Sequence, residues 1–158
     1  MRVGIGSDHL GFSLKERLRL YLDERGDQVR DFGAHSADPV DYPDVAAAVA
    51  EAVRAGVIDR GILVCGTGLG MAIAANKVPG ILAAPVTDTY TARLAREHNN
   101  TQIIALGANV VGPGLAIAIV ESWLSAEFRN GDSARKVAKI MAMDERHRPN
   151  DVPALIGR

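Results

Sequence analysis

Three short stretches of this chain carry residue types that can move protons or hold anions. The first is Val64-Cys65-Gly66-Thr67-Gly68-Leu69-Gly70, where the only cysteine directly precedes a cluster of glycines. Glycines at 66, 68 and 70 let backbone N–H groups turn toward a ligand at a helix start, where the dipole favours negative charge. Such surroundings stabilise a thiolate, so Cys65 reads as an activated group. It reads equally as a small apolar side chain buried at a strand end. The second stretch is Gly6-Ser7-Asp8-His9. Asp8 could orient a sugar hydroxyl, and His9 could donate to an anion or move a proton. The plain alternative is a helix entry in which Asp and Ser satisfy free N–H groups. The third is Arg96-Glu97-His98-Asn99-Asn100-Thr101. His98 either complements a helix dipole, with an asparagine in the left-handed conformation closing the helix, or converges on Cys65 and Asp8.

Several other chemistries lack their signatures. The glycine cluster does not end in Gly-Lys-Ser/Thr, and Gly4-Ile5-Gly6 has no third glycine at the dinucleotide spacing. Asp31 lies inside the second apolar run rather than after it, so no acidic residue is placed for a ribose. His9, His35, His98 and His147 show no helical ligand spacing, and HExxH and CxxC are absent. No metal and no organic cofactor is expected. No Gly-x-Ser-x-Gly elbow is present, which disfavours a hydrolase.

These residues need a scaffold, and the apolar pattern supplies one. Candidate strands run over Arg2–Gly6, Gln28–Phe32, Gly61–Cys65, Leu82–Val86 and Ile103–Leu106. Candidate helices lie between and after them, near 11–25, 43–55, 69–76, 88–98, 113–127 and 132–147. Leu14, Leu18, Tyr21 and Leu22 share one face of the first, and Ser13-Leu14-Lys15-Glu16 resembles a capping box at its start. Pro43 suits the first turn of the second. Strict alternation argues for an α/β fold with a parallel sheet covered by helices on both faces. In such sheets ligands bind beyond the carboxyl ends of the strands, where Asp8 and Cys65 fall.

Composition narrows the class further. With 158 residues, 47% apolar and 23% charged, the chain suits one globular domain over 1–148 with an irregular tail over 149–158. A net charge of −1 offers no general attraction to nucleic acid or anionic membranes. No apolar stretch is long enough for a bilayer, and the start is too short and too soon polar for a signal peptide. A cytoplasmic protein acting on a small molecule is expected.

"GIGSDHLGFSLK", "DYPD", "ILVCGTGLGMAIAANK" and "EHNNT" resemble, in that order, the type B ribose-5-phosphate isomerases and galactose-6-phosphate isomerase subunits. The similarity runs from residue 2 to about 143. It implies a three-layer Rossmann-like (flavodoxin-like) fold with a five-stranded parallel sheet. It also implies a homodimer or homotetramer with active sites shared between subunits, and aldose–ketose isomerisation without a cofactor. By the same resemblance Cys65 is the base that takes the C2 proton and returns it at C1. Thr67 shuttles protons between O1 and O2, and Gly66, Gly68 and Gly70 belong to the anion hole. His98 with Asp8 would open the cyclic sugar, while His9, Tyr42 and Asn99 line the substrate. Some relatives use a Glu further along the loop, where this chain has Met71.

The chain departs from this pattern where the family binds phosphate with arginines. Asn109 stands at one such position, Asp132 at the second and Lys136 at the third. Neither Asn nor Lys reproduces an arginine fork, and an Asp there would repel a dianion. The expected substrate is therefore an unphosphorylated sugar, or a phosphate on a chain of different length. Competing readings are a non-catalytic sugar-binding or regulatory subunit and a nucleotide-binding module. The first does not need a base, and the second needs a phosphate loop that the chain lacks.

Overall fold

In the computed structural model, residues 1–146 are described; the expected tail over 149–158 and His147 lie outside them. The strands are β1 (Arg2–Ser7), β2 (Gln28–Asp31), β3 (Arg60–Cys65), β4 (Ala83–Pro85) and β5 (Ile103–Gly107). The helices are α1 (Phe12–Glu24), α2 (Tyr42–Arg54), α3 (Leu69–Ala75), α4 (Thr89–Glu97), α5 (Pro113–Leu124) and α6 (Asp132–Arg146). All strand pairs are parallel, in the order β2-β1-β3-β5-β4. The five expected strands and six expected helices are all present, with no end differing by more than three residues.

Because side chains alternate across a strand, one run of residues feeds two cores. Ile62 and Val64 point into a cluster with α1, α4 and α5 built on Leu18, Ala92, Ile119 and Trp123. Leu63 and Cys65 point the other way, into a cluster with α2 and α3 that contains Val49, Met71 and Ala72. Such two-sided burial is why the strands read as continuous apolar runs. Strand order reverses between β1 and β3, so the switch point lies where Ser7-Asp8 and Cys65 end neighbouring strands.

The capping box expected at residues 13–16 does not form. Helix α1 begins at Phe12 with Gly11 at the N-cap, and no side chain caps its first turn. Gly11 is required there because a Cβ would overlap the Val64 carbonyl. Its N–H donates instead to Asp8 Oδ1 at 2.9 Å, so Asp8 shapes the helix entry from three residues upstream.

Lys15 occupies the buried face of α1 that Leu18 and Leu22 continue, and it is 0% exposed. Its ammonium bonds Asp31 Oδ2 at 2.6 Å, Glu16 Oε1 at 2.9 Å and the Ala34 carbonyl at 2.8 Å. Ala34 in turn donates its N–H to the Ser7 carbonyl at 2.6 Å. One buried charge thus ties α1, the end of β2 and the residue before Asp8. Lys15→Met leaves a carboxylate and a carbonyl without their donor, and a broken buried pair costs about 3 kcal/mol. Urea unfolding of the variant is expected to show that loss; a midpoint equal to the parent's would refute the brace.

Candidate active site

At the carboxyl end of the sheet, β3 and β5 run side by side until Cys65 faces Gly107. The chain after Cys65 then folds across the chain after Gly107. Ala108 N–H donates to the Cys65 carbonyl at 2.8 Å and Asn109 N–H to the Gly66 carbonyl at 3.0 Å. A Cβ on Gly107 would sit 2.7–2.8 Å from the Thr67 main chain, so only glycine admits this approach. Gly68 takes φ +80°, a left-handed conformation natural to glycine, and its N–H donates to Cys65 Sγ at 3.1 Å. Cys65 is 5% exposed, and the loop aims its sulfur toward the start of α3.

The remaining carboxyl-end residues close around this loop. Asp8 is buried, donates its N–H to the Val64 carbonyl and keeps Oδ2 without a hydrogen bond among the described residues. His9 Nδ1 accepts from Val40 N–H at a long 3.5 Å. Tyr42, the first residue of α2, lays its ring over Gly70, where a Cβ would come within 2.8 Å of it. Thr67 is exposed and its Oγ1 accepts weakly from Leu69 N–H at 3.4 Å. The Asn109 amide faces Gly66, with Nδ2 3.3 Å from the place of a Cβ there. Asp8, His9, Tyr42, Cys65, Gly66, Thr67, Gly68, Gly70 and Asn109 therefore form one cluster.

His98, Asn99, Asp132 and Lys136 do not join it. Helix α4 runs against the strands, so its last residues reach the amino end of the sheet. His98 caps α4 there, and its Nδ1 lies 3.0 Å from Ser133 Oγ at the start of α6. Asn100, at φ +54°, ends the helix in the left-handed conformation, as the sequence suggests. Between Gly61, level with Ile103, and Cys65, level with Gly107, lie four strand steps, about 13 Å. Within one chain, therefore, helix polarity puts His98 at the opposite end of the sheet from Cys65 and Asp8. Arg96 braces the amino-end turn through Asn100 Oδ1 at 2.6 Å and the Thr101 carbonyl at 3.3 Å. Burial, with Arg60 nearby, pushes its guanidinium down to about 10. Asp132 opens α6, where the dipole favours an acid, and Arg129 is engaged by Glu97 Oε1 at 3.1 Å.

Sequence reasoning misses two contributors at the carboxyl end. Lys15 holds the strand end before Asp8, and its signal is a lysine at a buried-face position of α1. Leu10 touches the loop, its Cδ1 3.2 Å from the place of a Cβ on Gly66. Among the described residues no group of His, Cys, Asp and Glu is arranged to hold a metal, and no helix is long and apolar enough to cross a membrane.

A thiol held by a glycine-built loop at the switch point of a parallel sheet defines a class. This is an α/β protein with a buried thiol in a glycine-built loop at its strand ends. Its family follows from comparison. The family model described as Ribose/Galactose Isomerase matches residues 3–140, and the chain belongs to that family. It is 45% identical over 145 residues to "Ribose-5-phosphate isomerase B" of Escherichia coli (strain K12), covering 92% of this chain and 97% of that one. It is 50% identical over 144 residues to "D-erythrulose-4-phosphate isomerase" of Pectobacterium atrosepticum, covering 89% and 93%. Ribose-5-phosphate isomerase B of Clostridium thermocellum superposes with TM-score 0.91 at 54% identity, covering 92% and 99%. The protein is a sugar isomerase of this three-layer Rossmann-like fold.

The Gly107 contact gives a direct test of the loop's placement. Gly107→Ala is expected to keep its circular dichroism spectrum while losing more than about tenfold in kcat, since ångström-scale misplacement costs that much or more. Unchanged kcat would show that the loop does not depend on this contact.

Proposed function

We propose that this chain interconverts an aldose and its ketose, acting on a sugar phosphate of four or five carbons through a cis-enediolate. The observation that carries the proposal is Cys65 Sγ, fixed by the Gly68 N–H within the glycine loop and beside Asp8. Proton abstraction next to a carbonyl needs a base and, opposite it, donors for the developing oxyanion. Cys65 takes the C2 proton and returns it at C1. The Gly68 amide serves the sulfur, so the other amides of Gly66–Gly70 serve the oxyanion, each such donor lowering the barrier by about 3 kcal/mol. The exposed Thr67 hydroxyl moves protons between O1 and O2. Tyr42, His9 and Asn109 line the sugar. A base has no use in a protein that only binds, which disfavours a regulatory subunit.

The site is completed by a second copy of the chain. His98 and Asn99, with Asp132 and Lys136 on α6, stand at the amino end of the sheet and face away from their own Cys65. A two-fold dimer brings the amino end of one subunit to the carboxyl end of the other, twice. His98, with Asp8 across the interface, then opens the sugar ring. Sugar phosphates are named for both curated relatives, ribose 5-phosphate and erythrulose 4-phosphate.

Cys65→Ala is expected to abolish isomerisation with the melting temperature retained; substantial residual turnover would remove Cys65 from the mechanism. Mixing Cys65→Ala with His98→Ala, after unfolding and refolding together, tests the shared site. Random pairing makes half of the dimers mixed, each with one intact site, so about a quarter of parental activity should return. No recovery would place both residues in one subunit's site. A panel of four-, five- and six-carbon sugars, free and phosphorylated, decides the substrate: a free sugar turned over best would overturn the phosphate assignment.

A further inference from the structure

His98 and Asn99 lie in the turn that leaves α4, and one side chain closes that turn over them. Arg96 Nη1 donates to Asn100 Oδ1 at 2.6 Å and to the Thr101 carbonyl at 3.3 Å, so residues 97–99 are enclosed between its two ends. The main chain closes the same span again. Asn100 N–H donates to the Arg96 carbonyl at 3.2 Å, and Thr101 N–H to the Ala95 carbonyl at 3.0 Å. Thr101 is anchored from α5, its Oγ1 accepting from the buried Trp123 Nε1 at 3.1 Å. The His98 ring has one tie, Nδ1 to Ser133 Oγ at 3.0 Å, and its Nε2 has no partner among the described residues.

Stability is a poor reason for this brace. Arg96 is half-buried, and its Nε is sealed from solvent without an acceptor. Among the described residues its side-chain bonds all go to neutral oxygens. Arg60, which lies over the Trp123 ring at 5.9 Å, repels it, and only Glu127 attracts it. A cation desolvated beside another cation, without a carboxylate in contact, adds little to folding. What it supplies is geometry. A planar guanidinium fixes the directions of its bonds, as a lysine ammonium does not.

We propose that Arg96 is a positioning residue for sugar ring opening: by holding the turn over 97–101 it aims the His98 imidazole at the sugar. The inference rests on the isomerase reading and on His98 as its ring-opening group. Opening a furanose breaks the C1–O4 bond, whose electron pair leaves on O4. C1 becomes a carbonyl, the proton on O1 is removed, and one proton is delivered to O4. The group that moves these protons must stand within hydrogen-bond reach of the oxygens, so a displaced imidazole slows the step. Cys65, at the other end of its own sheet, keeps its place when Arg96 is lost. Ring opening and C2 proton transfer are therefore separable by substitution.

The test reads ring opening apart from isomerisation, in the full chain carrying Cys65→Ala. Magnetisation exchange between the two anomers of ribose 5-phosphate, labelled with carbon-13 at C1, reports opening and reclosure of the ring. Cys65→Ala protein should speed this exchange, and adding His98→Ala should remove the acceleration. Adding Arg96→Lys instead should cut it at least about tenfold, because ångström-scale misplacement costs that much or more. Asn100→Gly should also cut it. Glycine accepts the φ of +54° at that position, so this variant removes the acceptor while Arg96 and the turn remain. Melting temperatures should stay at the Cys65→Ala value. Acceleration within about twofold of the Cys65→Ala protein in both variants overturns the inference, with His98 then held without Arg96. So does acceleration kept in Asn100→Gly and lost in Arg96→Lys only along with the fold. If Cys65→Ala protein speeds no exchange, or His98→Ala leaves the acceleration intact, the ring-opening reading itself fails, and this inference falls with it. With Cys65 restored, Arg96→Lys should lower kcat/KM more on ribose 5-phosphate than on erythrulose 4-phosphate, whose esterified O4 cannot close a ring. Equal losses on the two would make Arg96 a general support and overturn its assignment to ring opening.

Discussion

The main chain of the Cys65 loop rests directly on the main chain of Gly107, and most of the candidate site follows from that contact. Parallel pairing brings β3 and β5 to the same height, so Cys65 and Gly107 leave the sheet together. A side chain at 107 would hold the two crossing segments apart. Without one, the Cys65 and Gly66 carbonyls accept from Ala108 and Asn109, and the loop is pinned at both residues. Gly68 is confined from the same side, since a Cβ there would approach the Ala105 carbonyl to 3.0 Å. The direction of its N–H, and hence the position of the sulfur, is an outcome of backbone packing rather than of side-chain choice. Asn109 and the start of α5 inherit their positions from the same crossing.

The sheet has two chemically different ends, and the helices make it so. Every connecting helix returns against the strands, so helix amino ends gather with Asp8 and Cys65 while helix carboxyl ends gather with His98. The first end therefore carries positive dipole ends suited to anions, and the second carries carbonyls suited to cations and to imidazole. Lys15 fits this division as an internal strut. Its charge is spent on Asp31, Glu16 and the Ala34 carbonyl, and none of it reaches the ligand side.

Much of this was legible in the residues. The five strands stand out because two-sided burial removes polar interruptions, and each expected run overlaps the observed one. The carboxyl-end cluster was legible too, because Asp8 and Cys65 each end a run. The capping box at Ser13–Glu16 misled because capping patterns are local, whereas the start of α1 is set by the Val64 carbonyl of another strand. The placement of His98 could have been inferred from element order, since a residue that follows a helix and precedes a strand belongs to the amino end. That polarity keeps it apart from Cys65 within one subunit.

The burial of Cys65 bears on how long such a catalyst lasts. A sulfur that acts as a base is also open to peroxide, which adds oxygen stepwise, first reversibly and then beyond repair. Here one face of the atom is covered by the α2–α3 core, and the Gly68 N–H occupies another. If Cys65 is the base proposed above, a sugar lying against the loop would cover part of what remains of its 5% exposure, and bound substrate would then shield the sulfur from oxidants.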